Sequence, residues 1–243
     1  MQQILLFIYA LFAYLSAMVS VSLLILWVYP WSFMPINIDS GSGGSFALPV
    51  DLALIALFGL QHSVMARPVV KEALFGTLPV AFRTSTYTVL SALCLLLIVL
   101  LWQPMPTPLY AFESGSFFWL TTLLYVLGWS MAFVATFQID HFELFGLHQG
   151  YRALRGIPEP EVRFQKKGFY KYVRHPIQTG TVIGLWAVPV MSTGHLLFSA
   201  GMTLYVLIGL MYEEKDLVKT LGSAYRHYRE EVPMLLPFKK RRS

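Results

Sequence analysis

The sequence predicts an all-α, polytopic integral membrane protein with five to six transmembrane helices, ending in a helical hairpin. Three observations predict it. Of 243 residues, 56% are hydrophobic and only 13% charged, against roughly 25% charged in soluble domains. The mean hydropathy is +0.58. Lys and Arg are confined to alternate connections between the apolar runs.

A transmembrane helix needs about 20 mostly apolar residues, and such runs fall at residues 3–29, 46–62, 84–102 and 117–138. The first run has no basic leader and no small-residue cleavage site, so it stays attached as span one. Two shorter runs follow, Ile177 to Met191 and His195 to Tyr212, separated by Ser192-Thr193-Gly194. They read as a tight hairpin. Its first arm is roughly 22 Å long at 1.5 Å per residue, so it crosses incompletely or leans on its neighbour, and five or six spans result.

The connections 30–45, 103–116 and 192–194 carry no Lys or Arg; residues 67–83 carry three, 139–176 seven and 213–243 eight, which accounts for all 18. The positive-inside rule places those three segments and both termini in the cytoplasm. The net charge of +5 therefore reads as orientation and attraction to lipid, with no nucleic acid as partner and no obligate protein partner. The Lys239-Lys240-Arg241-Arg242 run reads as a solvated, lipid-facing tail. Cys94 is the single cysteine, which excludes a disulfide framework, a CxxC redox site and a thiolate zinc cluster. His62 and His141 lack an i, i+4 His-Glu set, so no metal site is expected. Asp51, near the outer end of span two, is expected to reach for water. No repeat or separate soluble domain appears, so residues 1–243 form a single membrane-embedded domain whose chemistry sits on the cytoplasmic side.

Pro176 suits the first helical position, where its missing N–H would have been an orphan. The free amides and positive dipole end of that helix then stand beside Arg174 and His175, a ready site for a carboxylate or phosphate. The second arm of the hairpin returns to the same face and delivers Tyr212-Glu213-Glu214 there. Carboxylates at a helix C-terminus oppose its dipole and need a cation. Arg174 supplies one internally; a ligand carrying both a carboxylate and positive groups would satisfy both ends, and S-adenosylmethionine has that pattern.

Arg174-His175-Pro176, the hairpin, Glu213-Glu214 and the tail Tyr225-xx-Tyr228-xxxx-Pro233 together resemble the isoprenylcysteine carboxyl methyltransferase and phospholipid methyltransferase superfamily of membrane enzymes. The resemblance covers about residues 164–237, the cofactor-binding core. That superfamily has an aromatic residue two positions after the proline, where this chain has Gln178. Four further blocks widen the match to nearly the whole chain: Gln61-His62-Ser63-Val64-Met65-Ala66-Arg67-Pro68, Arg83 to Tyr87, Asp140-His141-Phe142-Glu143-Leu144-Phe145-Gly146-Leu147, and Pro189 to Leu196. They look like the bacterial methanethiol S-methyltransferases. What this resemblance implies is a multi-pass enzyme of the bacterial inner membrane that methylates methanethiol, or hydrogen sulfide, on sulfur, with a small volatile thiol and S-adenosylmethionine as its substrates.

Methyl transfer from a sulfonium needs no metal, so the protein must supply positioning, desolvation and a thiolate. The candidates for the deprotonating group are His141, Asp140 and His62; His141 is favoured because it stands at the cytoplasmic end of span four beside Asp140. Arg174, His175, Pro176, Gln178, Glu213 and Glu214 are expected to hold the cofactor, with Gly180 permitting close approach and Tyr172, Tyr225 and Tyr228 walling the adenosine. Two other readings stay open. One is a lipid or isoprenylcysteine-type methyltransferase, which requires a lipid-sized lateral opening. The other is a non-enzymatic haem or redox membrane protein, since the Gln61 to Pro68 block also resembles a family linked to nitric oxide metabolism.

Overall fold

A computed structural model describes residues 1–160 and 164–238; the Lys239 to Arg242 tail lies outside the described residues. The helices are α1 (Gln2–Val28), α2 (Ala47–Ala66), α3 (Pro68–Phe75), α4 (Val80–Leu101), α5 (Ser116–Ile139), α6 (His141–Leu144), α7 (Leu147–Arg155), α8 (Pro176–Trp186) and α9 (Thr193–Glu231). A 3₁₀ turn spans Gly168–Lys171, and the short strands β1 (Pro108–Ala111) and β2 (Val190–Ser192) make up the sheet seen among the described residues. Five helices, α1, α2, α4, α5 and α9, are long and apolar enough to cross a membrane. The chain is thus an all-α, multi-pass membrane protein.

The long helices stop where local chemistry makes them stop. Arg67 ends α2 in an extended conformation (φ −72°, ψ 132°), because a residue before proline is pushed out of the helical region. Pro79 stands at the N-cap of α4 with ψ 147°. The hairpin differs most from the hydropathy runs. Its first arm, α8, has only 11 residues, about 16 Å against a hydrocarbon thickness of about 30 Å. Val188-Pro189 blocks its continuation for the same reason as at Arg67. Its second arm, α9, runs on past Tyr212 for a total of 39 residues.

The chain divides into two compact units. The first contains Met1–Leu109, Phe142–Pro160 and Ser192–Gly201; the second contains the described residues of Tyr110–His141, Glu161–Met191 and Met202–Ser243. In the first unit α1 packs on α4 and α7, and α2 packs on α4. Gly150 of α7 meets α1 so closely that a Cβ there would stand 2.3 Å from the Ala10 methyl. Connections without Lys or Arg meet at one end of this unit: Gly43 N–H donates to the Pro104 carbonyl at 2.7 Å and Gly194 N–H to Met105 at 3.0 Å. Asp51 does not reach for water. It is fully buried, and its Oδ1 accepts the Gln103 N–H at 2.9 Å.

In the second unit α5 and α8 cross at glycines. A Cβ on Gly180 would lie 2.4 Å from the Gly128 carbonyl oxygen and 2.6 Å from Ala132 N, and one on Gly128 would lie 2.7 Å from Gly184 N. Small residues let backbones approach where lipid offers no hydrophobic drive to association. At one end of the unit Phe112 N–H donates to the Pro189 carbonyl at 2.9 Å. At the other, Phe169 N–H donates to Gln138 Oε1 at 2.7 Å. Gly128→Ala should therefore lower the melting temperature in detergent, with overpacking costing about 1–3 kcal/mol. Gly209→Ala, whose Cβ would meet nothing within 4 Å, should be neutral or raise it.

Candidate functional site

Pro176 begins α8, with His175 as its N-cap. The two arms of the hairpin hold an antiparallel register. Trp186 Nε1 donates to Thr203 Oγ1 at 2.9 Å, and eleven positions further along each arm His175 Nε2 meets Glu214 Oε1 at 3.0 Å. Equal spacing on both arms brings the helix mouth at Arg174 to Pro176 against Glu213 and Glu214, as the sequence predicts.

The centre of this site is Glu214, only 5% exposed. Arg174 grips its carboxylate with a fork, Nε to Oε1 at 2.7 Å and Nη2 to Oε2 at 3.0 Å. The Tyr225 hydroxyl donates to Oε1 at 3.0 Å, and Arg229 Nε reaches Oε2 at 2.9 Å. Bidentate charge-assisted pairing is the strong form of such a contact. Burial would raise the Glu214 carboxyl, yet the His175 and Arg174 hydrogen bonds outweigh it and hold the group below the usual carboxylate range; Glu214 lies two residues beyond the apolar run that ends at Tyr212. The rest of the Arg174 guanidinium is spent too, with Nη1 donating to the carbonyls of Val232 at 2.6 Å and Arg229 at 3.1 Å.

The twin acids thus have different surroundings. Glu214 is turned inward and saturated. Glu213 leaves 48% of its side chain exposed, with His175 Nδ1 at 3.9 Å, beyond hydrogen-bond reach. Arg174 is likewise committed to protein partners. Tyr225 is buried and bonded to Glu214, and the Tyr228 hydroxyl donates to the Tyr170 carbonyl at 2.6 Å. Tyr172 is exposed and Gln178 half-buried. The open side of Gly180 is filled by Gly128 and Ala132, so this glycine serves the crossing of α5 and α8.

His141 belongs to the same unit, just past the end of α5 that Gln138 ties to Phe169. It is buried and stacks on Phe137, with centroids 4.2 Å apart. Thr136 Oγ1 donates to the Phe133 carbonyl at 2.6 Å, so it accepts His141 Nδ1–H at 2.7 Å. That assignment leaves the lone pair on Nε2. Burial lowers the imidazole below its ordinary range, with Asp140 opposing. His62 belongs to the first unit. Ser91 Oγ donates to the Tyr87 carbonyl at 2.9 Å and accepts His62 Nδ1–H at 3.1 Å, and the Tyr87 hydroxyl donates to His62 Nε2 at 2.8 Å.

Sequence reasoning missed Arg229, Thr136 and Gln138. Arg229 had a signal, since it follows Tyr225 by one helical turn on the face that meets Glu214. Thr136 stands five positions before His141, and nothing in the pattern marks it.

Residues 52–232 match the family model described as NnrU protein. The chain is 45% identical over 214 residues to methanethiol S-methyltransferase 2 of Bradyrhizobium diazoefficiens, covering 86% of this chain and 82% of that protein. It is 44% identical over 195 residues to the methanethiol S-methyltransferase of Mycobacterium tuberculosis, covering 80% of each. It is also 32% identical over 178 residues to bovine nurim, covering 69% of this chain and 66% of that protein. No solved structure matches it significantly.

Glu214→Gln leaves a buried guanidinium without its counter-charge and should cost about 3–5 kcal/mol in unfolding measurements. The sign with pH follows from the lowered carboxyl. Its stabilisation is complete above the unfolded value of about 4.3 and is lost as pH falls toward the folded one. The parent should lose stability on acidification through that range, and the Gln variant should lack this part of the loss.

Proposed function

The chain belongs to the NnrU family, and we propose that it is a membrane methyltransferase that methylates methanethiol on sulfur to dimethyl sulfide, with S-adenosylmethionine as donor. One structural observation carries the reading. An exposed carboxylate, Glu213, stands beside the N-terminus of a proline-started helix, so one small site offers an acceptor and a set of donors together. The likeness to relatives named methanethiol S-methyltransferase supports the choice of substrate.

The residues present fit such a donor. The first-turn amides of Ile177 and Gln178 have no intrahelical carbonyl to bond, and with the helix dipole they suit a carboxylate. Glu213 suits an ammonium or a ribose diol. Arg174, Glu214 and Tyr225 frame the site without being spent on the ligand. When bound, the donor supplies an electrophilic methyl group, and the new sulfur–carbon bond forms as the donor's own breaks.

The chain's remaining task is the thiol proton. By analogy with cysteine, with a pKa of about 8.5, the thiol is mostly protonated near neutrality, so a base raises the reactive fraction. His141 takes that proton at Nε2. Its buried setting favours the neutral imidazole, and Thr136 fixes the ring by its Nδ1 bond. His62 Nε2 already accepts the Tyr87 hydroxyl, which favours a packing role. The apolar rings of Phe133 and Phe137 beside His141 suit a small uncharged thiol that partitions from lipid. The Lys and Arg of residues 139–176 and 213–243 support a cytoplasmic site in the bacterial inner membrane, with both termini on the same side, by the positive-inside rule.

The test is an assay of the purified protein with S-adenosylmethionine and, separately, methanethiol, hydrogen sulfide and a prenylcysteine, with headspace dimethyl sulfide measured beside non-volatile methylated products. Dimethyl sulfide from the methanethiol reaction is expected; methylation of the prenylcysteine alone would overturn the substrate. His141→Ala should lower kcat/KM at neutral pH by about 100-fold and abolish the rise in rate as pH climbs through the lowered histidine value. An unchanged pH profile would remove His141 from the mechanism.

A further inference from the structure

The helix α9 is broken once. Gly222 has φ 62° and ψ −131°, a conformation essentially reserved for glycine, and a Cβ there would meet nothing within 4 Å. The break is therefore a property of the backbone and not of packing. The chain beyond it reaches Glu214 and Arg174 through polar contacts. The Tyr225 hydroxyl and Arg229 Nε hold Glu214. The carbonyls of Arg229 and Val232 take Arg174 Nη1. The chain then runs on along the mouth of α8, with Arg174 N–H donating to the Pro233 carbonyl at 2.9 Å and His175 N–H to Met234 at 3.1 Å. Thr179 Oγ1 donates to the Leu235 carbonyl at 2.8 Å. Outside the site, Lys166 Nζ meets Glu231 Oε2 at 2.7 Å. The apolar backing is small: Tyr225, Tyr228 and Val232 against Phe164, Leu217, Val218 and Leu221.

From this we infer that residues 223–235 are a strap, hinged at Gly222 and clasped by Arg174, that lies across the mouth of α8 and must lift for the methyl donor to enter and its spent form to leave. Arg174 has one hand on each side of the hinge: its fork holds Glu214, before Gly222, while Nη1 holds carbonyls after it. The Arg174–Glu214, Arg174–Val232 and Tyr225–Glu214 bonds are themselves buried, so the strap opens only when they part together. Arg174 and Arg229 act on the ligand site through the strap and are positioning residues. The inference rests on the donor site proposed above, but the opening of the strap is measurable without a donor.

Hydrogen exchange by mass spectrometry on the detergent-purified full chain reads the opening directly. Amides of 225–235 should exchange faster than those of 203–212, and Gly222→Ala, which strains the bent form, should speed them about 10- to 100-fold while leaving 203–212 unchanged. Exchange of both segments at one common rate, in parent and variant alike, would overturn the strap. A second variant bears on the same point: Lys166→Cys with Glu231→Cys, bridged by a short bis-maleimide, closes the strap covalently. Bridging should slow release of labelled S-adenosylhomocysteine at least tenfold, with the unbridged double variant releasing like the parent; unchanged release after bridging would contradict the gate. Should S-adenosylhomocysteine not bind at all, the donor assignment fails and the exchange comparison still decides whether a strap exists.

Discussion

One buried carboxylate organises the second unit. Glu214 accepts from or pairs with Arg174, His175, Tyr225 and Arg229, groups drawn from the segment before α8 and from the part of α9 beyond its bend. A charge in so enclosed a place is tolerated only when paired and fully hydrogen-bonded. The requirement runs both ways: the guanidinium of Arg174 is as enclosed as its partner and equally dependent on it. The antiparallel register of α8 and α9, the bend at Gly222 and the course of the chain past Pro233 all deliver polar groups to this one point. Such a cluster adds less to net stability than its bond count suggests, because desolvation offsets much of the attraction. Its effect is on position, since this arrangement gives both charges their partners.

With Glu214 and Arg174 occupied, the polar groups left open at this place are those around them. Glu213 keeps an exposed carboxylate, the first turn of α8 keeps its amides, and His141 stands at the end of α5 that is tied to the 3₁₀ turn just before the site. The glycine crossing of α5 and α8 makes that tie rigid, because backbones in contact leave no slack for one helix to slide on the other. A frame spent on itself can hold a ligand site still without adding charge to it.

Much of this was legible in the residues. Hydropathy located α1, α2, α4 and α5 to within a few positions, because a run of about 20 apolar residues has few alternatives in a membrane. Arg174-His175-Pro176 and Glu213-Glu214 announced their meeting, since a proline-started helix and a close hairpin leave the geometry little choice. What was not legible depended on contacts made across long separations in the chain. The two glutamates are adjacent and chemically alike, and only the angle at which α9 presents them decides that Glu214 faces in while Glu213 faces out. Gly180 was read as room for a ligand, whereas its partner is Gly128, more than fifty positions earlier. The short α8 was masked by apolar residues that continue past Trp186 in extended form, which a hydropathy window cannot distinguish from helix.

The long reach of Arg174 also bears on biogenesis. Its partners lie 40, 55 and 58 positions later in the chain, at Glu214, Arg229 and Val232, so during translation the guanidinium emerges well before anything exists to neutralise it. A lone cation cannot settle among apolar neighbours. The cluster around Arg174 can therefore close only after the ribosome has delivered the next helix and the stretch beyond it, which makes its assembly a late step of maturation.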